Sequence, residues 1–436
     1  DGPKSHLKKA GTPTMGGIIM MLAVVLTCVI FYRVETPYIW FALAAALSVT
    51  YASSCAAGEN PPQSQDGASV SETDDALETR MSAMEIAQDM GIGINLGNTF
   101  DAYYEDKQRT SSGAQIIGDN TPTNYETCWG SVQTTKEIID AFKDAGFNTI
   151  RIPVYWGNMM EEDGTYTISE DYIARVAEVA QWVLDDEMYC VINMHHYDGH
   201  ILTALEPDEA LEVVDTLWTQ IAEYFKDYPD KLVLEGFNES LGSTPSYILY
   251  TEDELFEYVN ELNSTFVNAV RSTGSENADR MLIISGYNTN IDKTTDPRFT
   301  LPADTADDRL MVSVHYVDNA MYWSNQLGTQ QWYDYSISQC ELLKSAFSDK
   351  GIPVFIGECT SVKSYNSPDR IPSGAIYSDP LKMFKTEMDI ITDYGFVPVV
   401  WDTANDWFNR SECRFNSAED GDAVKDIAQK ISDRSA

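Results

Sequence analysis

Two glutamates close apolar runs, and their type and placement could do chemistry together. Glu239 ends LVLEGFNE, directly after Asn238, and Glu358 ends PVFIGE. Runs of this composition form parallel strands buried on both faces, where a carboxylate has no spare water. Two carboxyls held close across one bond can divide the work of an acid–base and a nucleophile, because each shifts the other's proton affinity. Either one alone could simply cap a strand end by accepting backbone hydrogen bonds. Their joint placement, on the fourth and seventh of eight such runs, sets them on opposite sides of one mouth.

The other candidates follow the same pattern. His195, His196 and His200 cluster after the third run, and His315 follows the sixth. His196 and His200 have the i, i+4 spacing of a metal pair, but Asp198-Gly199 between them favours a turn and no H-E-x-x-H occurs. No metal is therefore expected. Arg151 interrupts the apolar run NTIRIPV, and a buried guanidinium needs an anionic or multiply accepting partner. Trp401, at the end of VPVVW, offers a flat apolar face on which sugar C–H groups can stack. The chain has no G-x-S-x-G, which excludes a nucleophile-elbow hydrolase. Seven scattered cysteines without a C-x-x-C pair suggest neither a disulfide framework nor a cysteine zinc site. Cys190 and Cys359 read as small buried side chains.

These residues need elements to hold them. Apolar runs recur at IGINLG, FNTIRIPV, YCVINMH, KLVLEGF, RMLIISG, LMVSVHY, IPVFIGE and VPVVW. Amphipathic stretches such as TTKEIIDAFKDAG, ISEDYIARVAEVAQWVLDD and EDELFEYVNELNSTFVNAVRS lie between them. Eight strands, each followed by a helix, predict an α/β fold of the (β/α)8 TIM-barrel type over residues 86–436. An open doubly wound sheet is the rival, but no G-x-G-x-x-G follows its first strand. Asn98, Arg151, His195, Asn238, Glu239, His315, Tyr316, Glu358 and Trp401 all fall at or just past the C-terminal ends of the runs, the face on which barrels carry their chemistry.

Taken in order, GINLGNTFDA, FNTIRIPVYW, VINMHH, LEGFNE, SVHY, FIGE and VVWD resemble glycoside hydrolase family 5, a family of retaining (β/α)8 enzymes. The resemblance runs from about Met90 to Trp401. It is closest to the endo-β-1,4-glucanase branch, whose members act on cellulose, xyloglucan and mixed-linkage glucan. It implies that Glu239 is the acid/base and Glu358 the nucleophile. Asn238 would hold the sugar 2-hydroxyl, and Arg151 and Tyr316 would flank Glu358. His195 and His315 would line the cleaved subsite over a Trp401 floor, with Asn98 and His196 as further sugar contacts. The negative nucleophile is expected to discourage ionisation of Glu239, giving a bell-shaped pH dependence on the acid side of neutrality. No cofactor is implied, and the implied partner is a β-glucan polysaccharide. A β-mannanase or xylanase on the same fold is the rival substrate class. A non-catalytic sugar-binding barrel is the rival function, against which the presence of both glutamates speaks.

Bulk composition agrees with a neutral polymer as partner. The formal charge of −39 leaves nothing to replace a phosphate counterion cloud, so nucleic acid is not expected. The first 57 residues differ from the rest. Met15 to Tyr32 and Tyr38 to about Ala57 are apolar runs of roughly membrane-spanning length. The opening DGPKSHLKKAGTPTMGG, and more loosely the first 45 residues or so, resemble part of phospho-N-acetylmuramoyl-pentapeptide transferase. The paired aspartates that enzyme needs are not found downstream, so these residues are expected to be a fusion artefact without transferase activity. FALAAALSVTYASSC resembles a lipoprotein signal ending at Cys55, which implies a secreted or lipid-anchored bacterial enzyme. Residues 58–85, rich in Pro, Gly, Ser, Gln and Asp at their start, are expected to form a flexible linker and lead-in.

Overall fold

The computed structural model describes residues 80–104, 120–161, 163–196, 201–202, 204–241, 250–359, 368–403 and 406–435. The chain divides into two units, Asp1–Leu77 and Glu78–Ala436. The first unit, with the apolar runs and the lipoprotein-like signal, lies outside the described residues, as does His200.

In the second unit, each of the eight apolar runs holds a strand: Gly93–Asn95 (β1), Thr149–Ile152 (β2), Tyr189–Asn193 (β3), Leu232–Glu235 (β4), Leu282–Ser285 (β5), Leu310–His315 (β6), Val354–Cys359 (β7) and Val397–Val400 (β8). They pair in parallel and in sequential order, and β8 returns to β1 to close a barrel. The long helices are Ala83–Met90 (α1), Lys136–Ala145 (α2), Glu170–Asp185 (α3), Pro207–Phe225 (α4), Glu252–Ser272 (α5), Gln330–Ala346 (α6), Pro380–Asp393 (α7) and Ala418–Ser435 (α8). The expected (β/α)8 architecture is present, with one departure. Between β5 and β6 the only α-helix is Ile291–Thr294. The connection carries Pro297 and Pro302, which stop helices.

Helix α1 closes the bottom of the barrel. Ser82 caps it through a capping box, accepting from the Glu85 N–H at 3.2 Å while its own N–H donates to the Glu85 carboxylate at 2.7 Å. The boundary expected at residue 86 falls inside this helix, because Ala83, Ala87 and Met90 are part of the core. They pack on the inward-facing Val191, Val233, Ile283, Met311, Phe355, Val397 and Val399. The outward-facing row, including Ile150, Cys190, Leu234, Ile284 and Val314, packs with the helix side chains in a second cluster.

The period-2 alternation continues upward from the apolar plug. Two residues beyond the inner Val191, Val233, Ile283 and Met311 come Asn193, Glu235, Ser285 and Ser313, and all four are buried. Asn95 and Arg151 take the corresponding places on β1 and β2 and are also buried. The barrel is thus apolar below and polar above, and the polar layer supports the mouth.

Strand β7 breaks the alternation. Val314 pairs with Ile356, but the next residue, His315, pairs with Glu358, so Gly357 is an extra residue. Against β8, Ile356 pairs with Pro398 and Cys359 with Val400, which shows the same slip. This is a β-bulge. By parity alone Glu358 would share the outer face with Ile356; the inserted glycine turns it inward beside His315. The site is tight: a Cβ there would lie 3.0 Å from Ser313 Oγ and 3.1 Å from His315 Nε2, closer than most such contacts.

Candidate active site

Arg151 is the hub of the polar layer. Its Nε donates to Glu235 Oε2 at 2.6 Å and its Nη1 to Asn95 Oδ1 at 2.9 Å. Nη1 also reaches Glu358 Oε1 at 3.2 Å, and Nη2 donates to Asn238 Oδ1 at 3.0 Å. The guanidinium therefore fixes the heights of two strand ends at once. Glu235 is anchored a second time by Ser313 Oγ at 2.8 Å. Sequence reasoning expected an anionic partner for Arg151 and named Glu358. The shorter, fully buried pair is with Glu235, which it missed.

The two carboxyls meet as expected. One oxygen of Glu239, one of Glu358 and a ring nitrogen of His315 all lie within 4.8 Å of one another. Their surroundings differ. Glu358 is 7% exposed and accepts from Tyr316 Oη at 2.8 Å as well as from Arg151. Glu239 is 45% exposed and its hydrogen bond is with His315 Nδ1, at 3.1 Å. Asn238, its oxygen held by Arg151, lines a cavity of about 360 Å³ together with Glu239 and His315.

A second wall rises over strands β8, β1 and β3. The rings of His195 and Trp401 are nearly parallel, 8° apart with centroids at 6.2 Å. His196 stands edge-on to His195 at 4.3 Å and packs near Tyr103 and Trp129, each at 5.6 Å. His196 and Tyr316 both have left-handed backbones, with φ of 60° and 46°, a conformation that collects at functional sites. Asn98 is half-buried in the turn after β1, also left-handed at φ 54°. Its N–H donates to Asp101 Oδ2 at 3.1 Å, and Thr99 N–H donates to Asp101 Oδ1 at 2.8 Å. Asp101, His195 and His196 bring donor atoms within 4.8 Å of one another, but both Asp101 oxygens already serve these backbone N–H groups, a structural use.

The electrostatics correct one expectation. Burial pushes the Glu239 carboxyl up, but the His315 hydrogen bond and the charges of His315, Arg151 and His196 outweigh it. The net direction is below the ordinary carboxylate value, so in the unliganded site Glu239 is not kept protonated by Glu358. Burial, with His196, Arg151 and His315 nearby, holds His195 well below the usual imidazole range, and it stays neutral. Burial and the neighbouring Glu358 charge push the Tyr316 phenol far up, so it remains a hydrogen-bond donor. Asp101 is raised to about 6, chiefly by burial.

Every expected site residue other than Asn98 makes contact with another member of the set, and Asn98 joins them through Asp101. Missed were Glu235, Asn95, Ser313 and Asp101. The first three are signalled by inward parity within their strands. Asp101 is signalled by an N-T-F-D turn, where a carboxylate two or three residues on collects free N–H groups.

A closed eight-stranded barrel with two unlike carboxyls brought together at its C-terminal mouth defines a glycoside hydrolase. The comparisons give the family. Residues 110–406 match the model of cellulase (glycosyl hydrolase family 5), and the chain belongs to that family. It is 34% identical over 307 residues to Endoglucanase A of Clostridium longisporum, a match covering 68% of this chain and 56% of that protein. It is also similar to the structure of a GH5-4 broad specificity endoglucanase from an uncultured bovine rumen ciliate, with a TM-score of 0.68 and 31% identity over 80% of this chain and 99% of that one. A xyloglucan-specific endo-β-1,4-glucanase from a metagenomic library, solved with cellotriose, has a TM-score of 0.65 at 30% identity, covering 79% of this chain and 98% of that one.

Proposed function

We propose that the protein is a retaining endo-β-1,4-glucanase acting on cellulose-type glucans, with xyloglucan and mixed-linkage β-glucan as further substrates. The observation that carries this is the carboxyl pair, with oxygens within 4.8 Å, one member ion-paired and the other half open to the cleft. Glu358, its charge held by Arg151 and Tyr316, attacks the anomeric carbon. Glu239, on the open side, protonates the departing glycosidic oxygen. The bond from carbon to that oxygen breaks as the bond to Glu358 forms, giving a covalent glycosyl-enzyme. Glu239 then takes a proton from water, whose oxygen displaces Glu358 with a second inversion.

Glu239 Oε1 and His315 Nδ1 lie 3.1 Å apart. A sugar covering the half-exposed carboxyl removes its water and raises its proton affinity, so that Glu239 can carry the proton it delivers. Asn238, fixed by Arg151, presents its amide to the 2-hydroxyl. Trp401, half-buried with its ring nearly parallel to that of the buried His195, offers a flat apolar face suited to a pyranose. The names of the relatives, broad specificity and xyloglucan-specific endoglucanases, support the substrate range.

Reducing-sugar release from carboxymethyl cellulose, xyloglucan, mixed-linkage glucan, glucomannan and xylan tests the substrate class. Preference for mannan or xylan would replace it. A 2-deoxy-2-fluoro cellobioside with a good leaving group should label Glu358 covalently, and Glu358→Gln should abolish turnover while keeping polymer binding. Label on another residue would sink the mechanism. The apolar stretch ending at Cys55 also supports an enzyme delivered outside the cell, by secretion or through a lipid on that cysteine. Fractionation of cells expressing the natural gene, with mass spectrometry of the mature N-terminus, checks this.

A further inference from the structure

We infer that Arg410 is a positioning residue for sugar binding: it clamps the turn that carries Asn98 to the end of β8 that carries Trp401. The inference rests on the proposed roles of those two residues as sugar contacts. Arg410 follows a short strand, Phe408–Asn409, that pairs antiparallel with Arg414–Phe415 after the last barrel strand. It is buried, and its guanidinium reaches both sides of the seam where β8 returns to β1. On the β1 side, Nη1 donates to Gly97 O at 3.0 Å and to Thr99 Oγ1 at 2.9 Å, and Nη2 to Asn95 O at 3.3 Å. On the β8 side, Nη2 donates to Asp402 O at 2.7 Å and to Asp402 Oδ2 at 3.1 Å.

The seam needs such a tie. Strand β1 is three residues long, and its register with β8 takes in Gly93 and Ile94, ending below the level of Trp401. Above it, Gly97 N–H donates to Asp402 O at 3.1 Å. Gly97 also seats the indole: a Cβ there would lie 3.1 Å from Cζ2 and Cη2 of Trp401 and 2.7 Å from Asp402 O, so the ring rests on the glycine backbone. Thr99, the other acceptor on this turn, adjoins Asn98, whose carbonyl accepts from Ser131 Oγ at 2.6 Å. A shift of Gly97–Thr99 away from Asp402 would therefore displace both sugar contacts together. Stability alone does not account for the arrangement. Among the described residues Arg410 Nε is buried with no acceptor, and a buried ion pair that leaves a donor unmet is a weak source of stability. What the guanidinium supplies is geometry, a planar fork that holds both sides of the seam and that an ammonium cannot reproduce.

The test places Arg410→Lys and Thr99→Val in the full chain, each combined with Glu358→Gln so that calorimetric titration with cellotetraose reads binding without turnover. Lysine keeps a positive charge for Asp402 but cannot also span to Gly97 and Thr99, so the ordered turn becomes a minor population and affinity falls with it. Loss of two hydrogen bonds from a charged donor is enough to leave that population at about a tenth, and cellotetraose should bind about tenfold more weakly than to Glu358→Gln alone. Thr99→Val, which removes one acceptor, should bind about threefold more weakly, and it decides the matter if Arg410→Lys does not fold. Arg271→Lys is the control for lost stability: it disturbs the buried pair with Asp304, 2.7 Å apart, ahead of β5 at the opposite end of the barrel. It should lower the melting temperature and leave cellotetraose affinity unchanged well below that temperature. Unchanged affinity in the folded clamp variants would overturn the inference, and so would a loss in Arg271→Lys as large as theirs. Wild-type protein inactive on every β-glucan would instead remove the glucanase assignment, and the clamp's role with it.

Discussion

Glu235→Gln tests whether the mouth depends on the Arg151 hub. The change is nearly isosteric and keeps an oxygen for Ser313, but it removes the charge 2.6 Å from Arg151 Nε and presents that N–H with an amide instead. At an effective dielectric of about 20 the lost attraction is roughly 6 kcal/mol before solvation is counted. Both partners are fully buried, so water cannot replace it. The net cost of stripping one partner from such a pair is about 3–5 kcal/mol, a third or more of ordinary domain stability. At about 2 °C per kcal/mol for a domain of this size, the melting temperature should fall by roughly 6–10 °C at neutral pH. Arg151 would then have Glu358 as its one carboxylate partner, holding the nucleophile's charge more tightly, and kcat should drop by about tenfold or more. Glu358→Gln is the comparison. It leaves the 2.6 Å pair intact at a position already 7% exposed, so its thermal loss should be less than half as large although turnover is abolished. Scanning calorimetry with initial rates on a soluble glucan reads both quantities. A Glu235→Gln melting temperature within about 2 °C of wild type would refute the claim that this ion pair supports the site.

The His315–Glu239 contact should set the alkaline limb of the pH profile. His315→Asn removes the hydrogen bond and positive charge that favour the Glu239 carboxylate, so its proton affinity rises and the alkaline limb of kcat/KM should move to higher pH, whatever the fall in absolute rate; an unmoved limb would detach His315 from the acid. Asp101, raised to about 6 from 3.8, holds its proton more tightly when folded. Its contribution to stability is complete below about pH 4 and is lost as pH rises through 6, a change of roughly 3 kcal/mol. Denaturant unfolding of Asp101→Asn against wild type should therefore show the variant gaining relative stability by about that amount between pH 4 and 7, and a pH-independent difference would count against it.

How much of this was legible in the sequence depends on which residues a simple period can place. All eight strands lie where apolar runs bounded by turns put them, and the helices over 136–145, 170–185 and 252–272 lie where amphipathic spacing put them. The missing long helix between β5 and β6 traces to prolines visible in the chain. Glu235 was legible in principle: Val233 and Glu235 alternate on the inner face of one strand, and an inward arginine at the same level demands an inward anion. The Asn238-Glu239 pair at the end of the same run is the more conspicuous signal. The ionisation of Glu239 was not legible, because its direction depends on His315 lying 3.1 Å away across the barrel.

Glu358 shows where parity itself stops. The rule that points Glu235 inward from Val233 points Glu358 outward with Ile356, into the layer of apolar side chains beneath the helices. An ionised carboxylate there would be without partners, at a cost no domain of this stability could carry. The inserted Gly357 relieves the conflict by shifting register against both neighbours, and its carbonyl is held by Asn95 Nδ2 at 2.9 Å. A glycine before a strand-end carboxylate, in a strand whose parity would send that carboxylate into the helix layer, is thus the sequence signal of the bulge. It becomes readable only when the inner and outer rows of β6 and β8 have already been assigned.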